Sequence, residues 1–325
     1  MSGTRPRKEP PARKRWDALD DLRGLAILIM VPVNVAAPYA AIPAWFKHAP
    51  ADGLTIADLV VPLFLFSLGI SAGFSWKRRV AERGYGHTVV HAVLRNALLC
   101  AFGVAGMLLA DPGNRWEVLT MLGVTGMFSF FFLGLRPLPR IAAGLLLLAV
   151  VELLRPLGLS ELMARWYDTG LAGPWGTVSL SFFPIVASAL GELTVGQAPA
   201  RKVGILGAAG LLMVAAGAGA LMYEPFSKHL LSLSYILFTA GLSAAILALL
   251  AAGREMLRVH VPVTDAMGRN PLLLYMLHSV LGLAALALFA QASPAWAAWA
   301  SVLGVLVLCA LGAVLLDRRG LYLKL

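Results

Sequence analysis

His48 and Asp58 stand ten positions apart in the stretch WFKHAPADGLTIADLVVP (45–62), between two long apolar runs. An imidazole held by a carboxylate can do acid–base or nucleophilic chemistry. The carboxylate sets the ring tautomer and stabilises the imidazolium that forms when the ring takes a proton. Asn34 closes the first apolar run, so a loop of about a dozen residues would return His48 over the ends that carry Asn34 and Asp58. Each residue also has a plainer use. A loop histidine can simply be hydrated, Asp58 can cap the start of its helix, and Asn34 can bond a neighbouring helix.

Other polar groups form a second set. Lys228, His229 and Ser234 precede or open another apolar run, on the same side as His48. On the opposite side lie Asp17, Asp20, Asp21 and Arg23 before the first run, with Arg269 and Asn270 opening a later one. His278 follows Asn270 by about 12 Å of helix rise. The bland alternatives are a surface ion pair for Arg23 and a satisfied buried ring for His278. His87 and His91 have i, i+4 spacing but lack the H-E-x-x-H pattern, and no metal is expected. No phosphate-binding loop, CxxC pair or nucleophile elbow occurs. Cys100 and Cys309 both fall in apolar runs and form no disulfide framework.

The elements that must position these groups follow from composition. The chain has 325 residues, 59% hydrophobic and 14% charged, with mean hydropathy +0.78. Ordinary soluble domains are about 45–50% apolar and about 25% charged. A bilayer core needs roughly 20 apolar residues per helix. Ten spans are expected, at 22–40, 55–75, 92–110, 117–135, 139–155, 176–195, 203–222, 232–252, 271–290 and 297–316. Threading them gives 22 Lys and Arg on one side and 5 on the other, a strong positive-inside bias. That bias puts both termini in the cytoplasm. It also assigns the net charge of +10 to topology and anionic lipid rather than to nucleic acid. The expected fold class is an all-α polytopic membrane protein. Residues 1–20 form a basic, disordered cytoplasmic tail, residues 21–325 form one transmembrane domain, and the first run is a retained anchor. The loop 156–175, rich in Gly and aromatics, is placed as a cap or an interfacial segment. Polar groups are costly in hydrocarbon unless they face a cavity or partner. Spans 1, 2, 8 and 9, which carry Asn34, Asp58, Ser234, Tyr235, Asn270 and His278, are therefore placed around the centre. Spans 7 and 10 go to the periphery.

The segments RWDALDDLRGLAILIMVPVN (15–34) and WFKHAPADGLTIADLVVPLFLFSLGISAGFS (45–75) closely resemble the heparan-α-glucosaminide N-acetyltransferase family of transmembrane acyltransferases. FSKHLLSLSYILFTAG (226–241) and MGRNPLLLYMLHSVL (267–281) fit the same pattern, so the resemblance runs from about 15 to 285. It implies transfer of an acetyl group from cytoplasmic acetyl-CoA to the amino group of a glucosamine-type sugar across the membrane. By that resemblance His48 matches the catalytic histidine and Asn34 a polar residue close to it. Asp58 would orient the imidazole, and Asn34 would donate to the thioester carbonyl. Arg23 and Arg269 would hold the CoA phosphates, with Asn270 and His278 on the cofactor side. Lys228 and Ser234 would serve the acceptor. One departure stands out: where lysosomal members carry Gln-Arg, this chain has Thr120 and Met121. A bacterial inner-membrane member, acting on a periplasmic or cell-wall amino sugar, is expected, with a homodimer left open. A transporter of a small polar or anionic solute, or a non-catalytic relative, are the alternatives.

Overall fold

The computed structural model describes residues 16–49, 52–110, 116–167 and 173–323. Among them it is all-helical: α1 (Asp17–Ala36), α2 (Val60–Arg83), α3 (Tyr85–Ala110), α4 (Val118–Leu133), α5 (Pro137–Leu154), α6 (Leu159–Tyr167), α7 (Gly173–Leu180), α8 (Phe182–Thr194), α9 (Pro199–Ala220), α10 (Leu233–Glu255), α11 (Pro262–Arg269), α12 (Pro271–Leu288) and α13 (Ala295–Arg318). Among the described residues, eight spans are long and apolar enough to cross a membrane, α7 and α8 counting as one. The other two expected spans coincide with α1, whose first turns carry Asp17, Asp20, Asp21 and Arg23, and with the 16-residue α4. The chain is a multi-pass, all-α membrane protein.

Local chemistry sets the helix limits. Proline occupies the first turn of α5, α9, α11 and α12, where its missing N–H costs nothing. Glu117 caps α4 and Ser232 caps α10 by accepting backbone N–H bonds. Gly84 turns α2 into α3 at φ 81°. The expected span 176–195 breaks at Ser181 into α7 and α8. Pro184, three residues on, removes one rung of the hydrogen-bond ladder there. Helix α1 starts at Asp17, inside the stretch expected to be tail, and residues 1–15 lie outside the described residues. So does the middle of the 156–175 loop, whose described part includes the short helix α6.

The closest helix pairs are α9 with α10, α2 with α8, α1 with α11, and α3 with α4. The α1–α11 contact depends on two glycines. A Cβ on Gly24 would lie 1.8 Å from the Thr264 carbonyl oxygen, and one on Gly268 1.7 Å from that of Asp20. Backbone thus meets backbone, as in small-residue packing between membrane helices. The short α11, not foreseen from the sequence, thereby brings Arg269 to the start of α1. Helices α9 and α13 contribute no residue to the cavity wall, as expected for the periphery. Helix α10 is well buried, but the walls of the large cavity come from α1, α2, α3, α4, α11 and α12, with the turn before α2 and the segment after α13. Only the loop before α10 reaches that cavity, through Lys228.

Candidate active site

The loop after α1 makes a 3₁₀ turn at Ala44–Phe46, and a second turn, Ile56–Leu59, leads into α2. Lys47 bends back to donate to the Tyr39 carbonyl at 2.6 Å, which stabilises the loop and leaves His48 beyond it. His48 Nδ1 lies 2.8 Å from Asp58 Oδ1. The other carboxylate oxygen accepts from the Thr55 amide (3.0 Å), the Thr55 hydroxyl (2.9 Å) and the Ala49 amide (3.3 Å). Lys228 Nζ sits 3.1 Å from Oδ1. The Tyr235 hydroxyl donates to the Asp58 backbone carbonyl at 2.7 Å. Every partner of the side chain is a donor, so Asp58 is a carboxylate and His48 Nδ1 carries the proton. The helix-cap role and the histidine role of Asp58 are thus one arrangement: Oδ2 closes a capping box with Thr55 while Oδ1 holds the ring. The Asp58 side chain is fully buried, whereas that of His48 is 43% exposed and lines the cavity. His48 thus lines the cavity with Nδ1 engaged by Asp58, which leaves Nε2 as the nitrogen that could act as a base or nucleophile. Burial moves the Lys228 amine below its ordinary pKa, against the opposing pull of Asp58.

The cavity has a volume of about 1090 Å³. One end holds His48, Asp58, Asn34 and Lys228; the other holds Arg78, Arg79, Arg83, Arg95 and Arg269, with Arg23 and Ser71 also in its wall. Leu68, Leu99, Leu122 and Phe64 are among the apolar residues lining it. Arg23 bonds Asp20 at 2.8 Å and also reaches the Ser71 hydroxyl. Arg95 has no acidic partner among the described residues, and its electrostatic neighbours are Arg23 and Arg79. Guanidinium groups gathered at one end of a cavity suit a polyanion. In the sequence Arg78, Arg79, Arg83 and Arg95 count only toward the positive-inside bias. Their convergence with Arg23 depends on the packing of α2, α3 and α1, which the linear pattern does not show.

Several expected site residues do other work. Arg269 lines the arginine end, but it bonds Asp265 and Asp317, each at 2.8 Å, and so is an already neutralised cation. Asn270 lies outside the cavity wall. It donates to the Leu321 carbonyl (3.0 Å) and accepts from the Leu323 amide (2.9 Å), holding the segment after α13 against α12. Ser234 is buried and bonds Ser232 and the Pro225 carbonyl at the start of α10, away from the cavity. His278 contacts Asn34, with Nε2 3.1 Å from Nδ2, and not the arginine end. His91 faces Arg79 rather than His87. The carboxylates of Asp17, Asp20 and Asp265 come within 4.8 Å of one another, but Asp20 and Asp265 are paired with Arg23 and Arg269. Met121 is fully buried, and neither it nor Thr120 lines the cavity, so that departure places no charge there.

A domain of unknown function, DUF5009, matches residues 15–135, which include Asn34, His48 and Asp58. Heparan-alpha-glucosaminide N-acetyltransferase of Mus musculus is 34% identical over 149 residues, 41% of this chain and 22% of the relative. The Homo sapiens protein of the same name is 35% identical over 122 residues, 34% of this chain and 18% of the relative. Over these stretches the chain is similar to heparan-alpha-glucosaminide N-acetyltransferases. The matches span about a fifth of the length of these relatives.

Proposed function

We propose that the protein is a transmembrane acetyltransferase that takes an acetyl group from acetyl-CoA at the arginine-lined end of the cavity. It passes that group to the amino group of a glucosamine-type sugar at the His48 end. The observation that carries this is the continuous cavity joining an imidazole–carboxylate pair to a cluster of arginines. CoA is a polyanion on a thin flexible arm. Its phosphates suit Arg95, Arg79 and Arg23, and its arm suits the apolar middle of the cavity. Placing the arginine end in the cytoplasm agrees with the lysine and arginine bias of the sequence and, in a bacterial inner membrane, with a periplasmic acceptor.

His48 Nε2 has two routes. It removes a proton from the acceptor amine, whose nitrogen then attacks the thioester carbonyl and expels the CoA thiolate. Alternatively it attacks the carbonyl itself, expels the CoA thiolate and carries the acetyl group as an acyl-imidazole; the free amine then takes the acetyl group, and the released ring nitrogen accepts the amine's proton. In both, Asp58 holds Nδ1–H and stabilises positive charge on the ring. An N–H of Asn34 faces the carbonyl oxygen as negative charge develops. Lys228 belongs to the Asp58 cradle and fixes the carboxylate.

Binding separates this function from solute transport. Calorimetry of the purified protein in detergent should show saturable acetyl-CoA binding. Arg95→Ala should weaken it about 10–100-fold, the size expected for one charge-assisted contact of about 1.5–3 kcal/mol, without changing acceptor binding. No acetyl-CoA binding, or equal loss for donor and acceptor, would contradict the assignment.

A further inference from the structure

We propose that His278 is a positioning residue that holds the Asn34 carboxamide in the orientation its chemistry needs. The proposal rests on the acetyltransferase reading, in which Asn34 faces the thioester carbonyl. His278 lies on the third turn of α12 and is only 4% exposed. Asn34 is exposed to the cavity near the end of α1. His278 Nε2 is 3.1 Å from Asn34 Nδ2, and His278 Nδ1 is 3.3 Å from the Leu274 carbonyl oxygen. The Tyr275 ring meets the imidazole edge-on at 5.3 Å.

The proton positions follow from the partners. A backbone carbonyl only accepts, so Nδ1 carries the hydrogen. In the neutral ring Nε2 is then a bare lone pair. That lone pair takes one N–H of Asn34. A reversed amide would set its oxygen against the lone pair and lose the bond. An imidazolium would reverse this preference, but it would be a buried cation with no carboxylate among its hydrogen-bond partners, which is costly. The neutral ring therefore selects one amide orientation. It leaves the second N–H and Oδ1 of Asn34 for the cavity. A polar ring on an apolar helix is expensive unless bonded, and this bond gives it a use. His278 acts through Asn34 rather than on the reacting atoms.

The test is a double-mutant cycle with a spectroscopic readout. His278→Phe keeps the ring bulk and removes the acceptor, while His278→Gln supplies a carbonyl oxygen in its place. His278→Phe should lower kcat about 10–100-fold, the scale of losing a reacting group's alignment, and leave the KM for acetyl-CoA unchanged. His278→Gln should recover most of the rate. In an Asn34→Ala background, His278→Phe should cost nothing more. Nitrogen NMR of ¹⁵N-histidine-labelled protein should show Nδ1 protonated and Nε2 bare in His278, and Asn34→Leu should move the Nε2 signal. Additive rate losses, or a protonated Nε2, would overturn the positioning role even in an active enzyme. The expected NMR signature in a protein that transfers no acetyl group would overturn the acetyltransferase reading and leave the His278–Asn34 pairing supported.

Discussion

Asp58 is the residue on which the candidate chemistry converges. It is fully buried, yet two cationic or cation-forming side chains, two amides and a hydroxyl reach its carboxylate. A carboxamide in its place would put a neutral group, half donor, in front of His48. We expect Asp58→Asn to lower turnover by about 10²–10⁴-fold, as for a disabled general base. It should also lower the thermal midpoint, because Lys228 would lose its counter-ion in a buried place. Adding Lys228→Met should restore the midpoint and not the turnover. Recovery of both would show that Asp58 matters only as a partner for Lys228. The pairing of His48 with Asp58 was legible in the sequence because a short loop has few ways to close. Lys228 was legible as a residue near the site but not as a partner of the same carboxylate, since it arrives from a distant part of the chain.

At the scale of elements, apolar runs were enough to place the long helices, because length and hydropathy alone decide what can span a bilayer. They were not enough to find α11. Its eight residues, PVTDAMGR, are too few and too polar to register as a span. Its position comes from backbone contact with α1 at Gly24 and Gly268. Gly268→Ala should therefore separate α1 from α11 and lower stability by about 1–3 kcal/mol, as overpacking does. Arg269 and the start of α12 would shift with it. Thermal unfolding in detergent measures this, and an unchanged midpoint would show that the contact is slack. Asn270 and Ser234 were expected at the site because polar residues at helix ends often face a cavity. Both instead satisfy backbone and side-chain groups at helix starts, a role that sequence position alone does not separate from ligand binding.

At the scale of the molecule, the arrangement is a bundle whose polar groups line one cavity with chemically different ends. Lysines and arginines near membrane-helix ends carry topology, and this masks any second role they have. That is why the basic stretch 76–95 was expected to be only an orientation signal, although the fold turns four of its arginines into one wall of the cavity. In the proposed reaction one extended molecule reaches from the arginine end to the His48 end. The most direct measurement is acetyl transfer by purified protein from radiolabelled acetyl-CoA to glucosamine, comparing the wild type with His48→Ala. Labelled N-acetylglucosamine should form with the wild type and fall at least about 10²–10⁴-fold in the variant, with acetyl-CoA still bound. Equal transfer by both proteins would contradict the central role of His48.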